Sequence, residues 1–508
     1  MAFRNVQRIA LAVEVGDTID TAGVGLAAAK AQVPAARPFR WFTLLLPWTL
    51  AGYMFFDRAF AYLHLPGTPI FVGELVMVVG LYEASRCGVS MRALVARSMV
   101  LKLLLAFMAL GTLRLLVDLT TYGLDAIRDA AIFYYGVFAF LVAAAAIADP
   151  GFISRFASFY RRLLPWFLLW APVAIVLSKS EGGPLVPGSD IPINSFKSVN
   201  IAVNVGIATV FILLRLDGGG PPEQGGLIRR PWRNSDSVLM VMGVVALFVL
   251  GSQARGGFLG GLVALAVGVL ALSNGERRRV ALILGLAGGF LVGALLLFNV
   301  RIPNGEREIS VRQVGLNLLS VLDPEAAGNE GSLQGNVAWR QFYWQRILAD
   351  TTTNHAITGQ GFGPILSIKY GIATSDDKEP PLRSAHNSYL TVLARMGFPG
   401  LLLWVLIWAL VAATLARSYR ARRHPRLLPL TRFNMWILAG VAGWLFDAFW
   451  DPGLESPVGG IWIWVLVGFG VASALTYKQL TTRPRAEPVD HPATAESLFR
   501  LERAPDRG

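Results

Sequence analysis

Repeated apolar runs constrain the fold of this chain more than any other feature. The runs are roughly 17–25 residues long, which is the length that an α-helix needs to cross a bilayer. Charged residues make up only 16% of the sequence, and they collect between the runs. The alternating pattern of barrel strands is absent. The sequence therefore predicts an all-α polytopic membrane protein with about twelve transmembrane helices.

One long polar segment interrupts the series of spans and defines the predicted domains. Residues 1–38 form an N-terminal segment, 39–299 hold the first nine spans, and 300–388 form a large loop. Residues 389–476 hold the last three spans, and 477–508 form a disordered tail rich in Pro, Glu and Arg. The predicted spans are Trp41–Phe56, Pro69–Tyr82, Met99–Val117, Ala130–Ile147, Leu163–Leu177, Val199–Leu214, Ser237–Gly251, Gly257–Leu272, Val280–Phe298, Tyr389–Ala416, Phe433–Phe449 and Ile461–Leu475.

The formal net charge of +13 has a topological explanation. Arginines crowd into alternate short loops, for example at residues 155–162, 277–279 and 417–432, and the intervening loops hold few. By the positive-inside rule, both termini lie in the cytoplasm and the large loop lies outside. The basic loops lack interleaved aromatic residues, which argues against nucleic-acid binding. Cys87 is the single cysteine, so neither a disulfide framework nor a thiolate metal site is expected.

Within the large loop, residues 337–348 have apolar side chains at helical spacing. Trp339, Tyr343 and Ile347 fall on one face, with Trp344 beside them. The density of aromatic residues favours a helix that lies at the membrane interface. Further on, the glycine-rich residues 359–363 predict a tight turn that shapes a site; a nucleotide loop is not indicated, because no strand precedes them.

A polar cluster lies where this loop meets the tenth span. It holds His386, Asn387 and Tyr389. A titratable histidine beside an amide and a phenol at a membrane boundary suits proton transfer on a lipid-linked substrate. Taken alone, His386 could equally be a hydrogen-bonded cap of the following helix, as could the serine and asparagine around it.

Two arginines are further candidates for a binding site. Arg255 lies in a polar turn, residues 251–257, on the outer side, against the charge preference of the topology rule. Its planar fork suits bidentate binding of phosphate oxygens, although a snorkelling or ion-paired arginine is the alternative. Arg340 lies on the loop helix and could face a membrane-level cavity or be simply solvated. Arg346 lies on the same helix, and we do not expect it to bind substrate.

Acidic residues gather at the outer ends of several spans. They could bind a metal ion or sugar hydroxyls, but we favour pairing with arginines because the spacing is not specific to a metal. The residues are Arg114, Asp118, Asp125, Arg128 and Asp129 in one group and Asp447 and Asp451 in the other.

The order of these motifs resembles the bacterial O-antigen ligase and O-antigen polymerase superfamily. The resemblance rests on the Ser252–Gly256 turn, the Trp339–Trp344 helix, the Gly359–Gly363 turn, and the segment from Ala385 through Gly397-Phe-Pro-Gly400. It is strongest over roughly residues 235–420.

What the resemblance implies is a metal-independent glycosyltransferase of type C, without a cofactor, in the bacterial inner membrane. Its donor would be a glycan on undecaprenyl pyrophosphate, and its active site would face the periplasm. By the resemblance, Arg255 and Arg340 would hold the donor pyrophosphate, and His386 would activate or align the acceptor hydroxyl. Asn387, Tyr389, Trp339 and Trp344 are expected to contact substrate. No metal ligand is expected.

The acceptor separates two reactions within this superfamily. A polymerase adds the growing chain to a new lipid-linked repeat unit, with a chain-length regulator as a possible partner, and a ligase moves the chain to lipid A-core. We expect polymerisation of a surface or exopolysaccharide, with ligation to lipid A-core as the alternative. A membrane transporter or a scaffold without chemistry is the alternative from another class. No inverted repeat typical of transporters is visible, and a scaffold would not need His386, Arg255 and Arg340.

Overall fold

The computed structural model describes residues 39–482, apart from gaps at 69, 88, 150, 181, 221–225, 306, 323–331, 373–380 and 422–423. The predicted N-terminal segment, 1–38, lies outside the described residues, as does the tail beyond residue 482. Residues 477–482, which were predicted to begin a disordered tail, instead continue the last helix to Thr482.

Helices dominate the described part of the chain, with two short antiparallel hairpins between them. The helices are α1 (Arg40–Ala61), α2 (Val72–Arg86), α3 (Met91–Arg97), α4 (Met99–Tyr122), α5 (Leu124–Asp129), α6 (Ala131–Tyr134), α7 (Val137–Ala148), α8 (Gly151–Leu177), α9 (Ser198–Leu213), α10 (Asn234–Gln253), α11 (Arg255–Leu270), α12 (Asn274–Leu297), α13 (Val311–Leu322), α14 (Ser332–Asn354), α15 (Leu366–Lys369), α16 (Ser388–Arg417), α17 (Leu428–Asp447) and α18 (Pro457–Thr482). The hairpins pair β1 (Leu216–Gly218) with β2 (Leu227–Arg229), and β3 (Ile302–Asn304) with β4 (Arg307–Ile309).

The predicted spans all overlap helices, which confirms the helical membrane architecture. Among the described residues, seven helical stretches are both long and apolar enough to cross a bilayer. They are Met99–Tyr122, Ala131–Ala148, Gly151–Leu177, Asn234–Gln253, Asn274–Leu297, Ser388–Arg420 and Pro457–Lys478. Two shorter apolar helices, α9 and α11, pack among them. The number of crossings and the side on which the large loop lies stay predictions.

The fifth predicted span begins too late. We placed Arg155, Arg161 and Arg162 in a loop, but α8 is helical from Gly151 onwards. Hydropathy locates the apolar part of a helix. It does not detect a polar first half, which ion pairs can stabilise. Here Arg155 and Arg161 pair with Asp149 and Asp236.

Small residues bring three central helices close together. A Cβ atom on Gly206 of α9 would lie 2.5 Å from the Cα of Gly261 in α11. A Cβ on the adjacent Gly260 would lie 2.9 Å from the carbonyl oxygen of Gly443 in α17. Such contacts between small residues are a common way for membrane helices to associate. They fix α11, and with it Arg255 at its first position, between α9 and α17.

Candidate active site around Arg255, Arg340 and His386

The predicted outer turn is a junction of one residue between two helices. Helix α10 ends at Gln253, and α11 begins at Arg255, so Ala254 alone leaves the helical conformation, with φ −143° and ψ 116°. Glycine at 257 is required by packing, because a Cβ there would lie 2.1 Å from the carbonyl oxygen of Val199. The backbone at this junction is therefore tightly packed, and it holds Arg255 at the start of α11 in a fixed position.

The first part of the large loop covers this junction. Asn317 of α13 donates to the carbonyl oxygens of Gly251 and Ser252, at 2.8 and 3.0 Å, and so satisfies carbonyls at the end of α10. Arg255 Nη1 donates to Ser320 Oγ, also on α13, at 2.8 Å. Loop and junction thus form one unit around the Arg255 guanidinium.

Three arginines from distant parts of the sequence converge here. The charges of Arg307, on β4, and Arg340, on α14, both act on Arg255. Arg340 lies 5.8 Å from the ring centre of Trp339, and its buried Nε has no hydrogen-bond partner among the described residues. Burial lowers the pKa of Arg340, and the carboxylate of Asp451 opposes that shift. Like charges held together repel one another, and such a cluster favours an anionic ligand.

Helix α14 holds the backbone of the His386 loop in place. Tyr343 Oη donates to the carbonyl oxygen of Ser384 at 3.1 Å, and Trp344 Nε1 donates to that of Ala385 at 2.8 Å. On the other side, the amide of Ser388 donates to the carbonyl oxygen of Ala448 at 2.8 Å, just after α17. The loop is therefore fixed between the two helices.

His386 has an unusual backbone conformation, and one of its ring nitrogens lacks a hydrogen-bond partner among the described residues. Its φ of 51° lies in the left-handed region, which costs free energy for a residue other than glycine. Its ring stands edge-on to Trp339, with 5.9 Å between ring centres. Nδ1 is buried and has no hydrogen-bond partner among the described residues. Such strain at a polar residue is characteristic of functional sites.

The imidazole of His386 is neutral at physiological pH. Burial lowers its pKa from 6.5 to about 4, and the positive charges of Arg340 and Lys197 act in the same direction. Asp451 opposes them. A neutral imidazole can accept a proton, which is the state that a general base needs.

An ion pair between a lysine and an aspartate lies beside this histidine. Lys197 Nζ and Asp451 Oδ1 are 3.4 Å apart, and both charges act on His386. Asp447, one turn before Asp451, is fully buried, and neither of its carboxylate oxygens has a hydrogen-bond partner among the described residues. Lys197 and Arg307 were not recognised as site residues from the sequence, because no motif surrounds either of them.

The structure brings together only some of the residues predicted to contact substrate. Trp339 joins His386 and Arg340, and Arg255 joins them through Arg340. The polar atoms of the others are engaged within the protein. Asn387 Oδ1 accepts from the amides of Tyr389 and Leu390, Tyr389 Oη donates to the carbonyl oxygen of Leu445, and the ring of Trp344 packs on Phe449 and Trp450. Asn387, rather than His386, thus caps α16, and substrate contacts of these three residues stay predictions.

The glycine-rich segment forms the predicted tight turn. Gly359, Gly361 and Gly363 all have positive φ, at 64°, 86° and 112°. Carboxylates hold the turn: Asp118 accepts from the amide of Phe362 at 2.8 Å, and Asp129 from that of Gly363 at 2.9 Å.

A buried arginine, Arg395, ties this turn to helix α16. It is only 1% exposed, and it donates to the carbonyl oxygens of Gly361, Pro364 and Arg383. Its Nη2 also lies 2.8 Å from Asp129, which pairs in addition with Arg383 at 2.9 Å. The preference for arginine pairing in this acidic group is thus confirmed. In the other group Asp451 pairs with a lysine.

Comparison with known families supports the resemblance stated above. A family model described as O-Antigen ligase matches residues 238–405, from within α10 to within α16. The match includes Arg255, Arg340 and His386, whereas Lys197 and Asp451 lie outside it. No curated protein matches the chain. Over these residues the match confirms the predicted resemblance to the O-antigen ligase and polymerase superfamily, and the matched domain indicates ligase or polymerase activity of the glycosyltransferase type.

Proposed function

We propose that the protein transfers a glycan from a polyprenyl pyrophosphate, undecaprenyl pyrophosphate in bacteria, to a sugar hydroxyl at the periplasmic face of the inner membrane. The observation that carries this proposal is the position of a buried neutral histidine beside a cluster of arginines. The histidine can take up a proton, and the arginines can stabilise the negative charge of the leaving group.

The reaction follows from these two features. The acceptor hydroxyl attacks the anomeric carbon, and the bond between that carbon and the pyrophosphate oxygen breaks with its electron pair. His386 accepts the hydroxyl proton. The polyprenyl pyrophosphate leaves with one more negative charge, which Arg255, Arg340 and Arg307 stabilise. Trp339, which contacts both His386 and Arg340, offers an apolar face to a sugar ring or to the lipid chain.

In this proposal the transfer needs no metal ion. Guanidinium groups supply the positive charge that a leaving pyrophosphate requires. The expected outcome is that treatment of the purified protein with a chelator leaves the transfer rate unchanged. A rate that falls on chelation and returns on addition of a divalent cation would contradict metal independence.

Between the two reactions of the superfamily, we propose polymerisation of a surface or exopolysaccharide, with ligation to lipid A-core as the alternative. The site chemistry is the same for both, because donor and leaving group are the same. A deletion strain separates them through its lipid-linked glycans and its lipopolysaccharide gel. Single repeat units on the polyprenyl carrier indicate a polymerase. Long lipid-linked chains above unsubstituted lipid A-core indicate a ligase, and an unchanged profile would contradict glycan transfer itself.

A further inference from the structure

A cavity with several arginines in its wall lies at the opposite end of α11 from Arg255. The helix has 16 residues, so its two ends are about 24 Å apart. At its far end the chain turns through Ala271–Ser273 into α12, and a cavity of about 420 Å³ opens beside this turn. Its polar wall includes Arg229, Ser273, Asn274, Glu276, Arg277 and Arg432.

One carboxylate in this wall faces three guanidinium groups. Glu276 lies 2.8 Å from Arg229 Nη2 and 2.7 Å from Arg432 Nη2, and it also contacts Arg215. Arg277 adds a further positive charge, and its donors reach the carbonyl oxygens of Val269 and Leu270. Positive charge therefore exceeds negative charge around the cavity.

Arg432 contributes an unsatisfied hydrogen-bond donor to this positively charged wall. Its side chain is only 3% exposed, yet its buried Nε has no hydrogen-bond partner among the described residues. A buried N–H group without an acceptor is unfavourable. Arg432 lines the cavity, so an anion there would lie against a guanidinium that still has an open donor. The first residues of α12, with their partly positive helix end, lie in the same wall.

A second, more apolar space shares Leu272 and Glu276 with this cavity. It measures about 190 Å³, and its wall combines Leu213, Trp232, Leu272 and Val280 with the charged Arg215, Glu276 and Arg279. The guanidinium of Arg279 lies 5.1 Å from the ring centre of Trp232. A charged cavity beside an apolar one, between helices of a membrane protein, suits the headgroup and first chain carbons of an anionic lipid.

We propose that the cavity around Glu276 and Arg432 is a binding site for a phosphate group. The phosphate would be carried either by an anionic phospholipid or by a soluble ion. The site is separate from the one around His386 and does not depend on the proposed transfer reaction. Bound phosphate would accept hydrogen bonds from Arg432 on α17 and from Arg229 on β2, beside the start of α12, and so stabilise that end of the helix bundle.

Ligand-dependent thermal stability of the full-length protein in neutral detergent, at low ionic strength, tests this proposal. The lipid probe is phosphatidylglycerol in mixed micelles, with phosphatidylcholine as its reference. The soluble probe is inorganic phosphate, with chloride at equal ionic strength as its reference. Wild-type protein is expected to gain stability from at least one of the two probes, with a response that weakens as salt is added.

Variants connect the response to this cavity. Arg432→Gln and Arg229→Gln should each weaken binding at least about tenfold, because each removes a charge-assisted hydrogen bond. Glu276→Gln should strengthen binding, because it removes the negative charge that competes with the ligand. Arg92→Gln is the matched control, since Arg92 is exposed on α3 and lies outside the cavity wall. It should bind as the wild type does.

The two probes separate the sources of the phosphate. A response to phosphatidylglycerol alone supports a lipid headgroup, and a response to inorganic phosphate supports a soluble ion. If Arg432→Gln does not fold, Arg229→Gln gives the same test, because the Arg229 side chain is already 36% exposed. No response to either probe, or equal responses in Arg229→Gln and the wild type, would overturn the proposal.

Discussion

Two groups of arginines on the loop side of this molecule are built in opposite ways. Arg383 and Arg395 both pair with Asp129, at 2.9 and 2.8 Å, and each also donates to backbone carbonyls, although Arg395 Nε has no hydrogen-bond partner among the described residues. Arg255 and Arg340 form no ion pair with any carboxylate of the described residues, and the positive charge of Arg340 acts on Arg255. Paired charges satisfy one another and fix a structure, whereas gathered like charges cost stability and favour an anionic ligand. We therefore assign a structural role to the first group and an anion-binding role to the second.

The largest expected effect is at the histidine beside the unpaired group. His386→Ala should lower the rate of glycan transfer by about 10²–10⁴-fold, because it removes the proton acceptor. Its thermal stability should be near that of the wild type or higher, since the substitution removes a buried unpaired Nδ1. Transfer by purified protein is the measurement, and a wild-type rate would remove His386 from the mechanism.

The unpaired arginines should respond in activity and hardly in stability. Arg255→Gln and Arg340→Gln should each lower transfer by about 10²–10³-fold, because charge developing on the pyrophosphate loses a donor. Their melting temperatures should stay near that of the wild type, since neither side chain forms an ion pair among the described residues.

Arg346 offers a control for Arg340 on the same helix. It donates to the carbonyl oxygen of Tyr370 at 2.7 Å and stacks on Phe342. Arg346→Gln should keep most of the activity. Equal losses in the variants of Arg340 and Arg346 would mean that α14 is merely perturbed.

The paired group should show the reverse pattern. Arg395→Met should destabilise the protein by about 3–5 kcal/mol, because it leaves Asp129 partly uncompensated in a buried position. Activity should fall only as far as folded protein is lost. A stable Arg395→Met protein without activity would contradict the structural role that we assign to this group.

The smallest expected effect concerns acid pH. The pKa of His386 is about 4 when folded, against an ordinary value of 6.5, so the unfolded chain takes up its proton first. The contribution of His386 to stability is therefore constant above about pH 6.5 and decreases as the pH falls towards 4. Likewise, kcat/KM should stay constant from pH 8 to 6 and fall only well below pH 6. An acid limb centred near pH 6.5 would contradict the buried, neutral state of His386, and His386→Gln should flatten the stability change.

The sequence predicted the helices well and the contacts between them poorly. Long apolar runs identify membrane helices because bilayer thickness sets their length. The aromatic face of α14 was also predictable, since Tyr343 and Ile347 are both fully buried. The capping role of Asn387 was harder to assign, because histidine, asparagine and serine are adjacent and only the backbone shows which one caps.

The missed residues share a physical reason. Arg307 and Lys197 carry no local motif, and Arg395 lies in a motif that does not reveal its partners. Each acquires its role from residues distant in the sequence, as Lys197 does from Asp451 and Arg395 from Asp129. Sequence spacing reports neighbours along a helix, whereas tertiary packing decides these pairs. Asp447, buried without a hydrogen-bond partner among the described residues, could not be separated from Asp451 on the sequence alone.

Direct binding of undecaprenyl pyrophosphate to the purified protein tests the central claim, that unpaired arginines form the donor site. The comparison is between wild-type protein, Arg340→Gln and Arg346→Gln, which differ at two positions of one helix. The account predicts that Arg340→Gln weakens binding at least about tenfold and that Arg346→Gln binds as the wild type does. Equal affinities for all three proteins would contradict it.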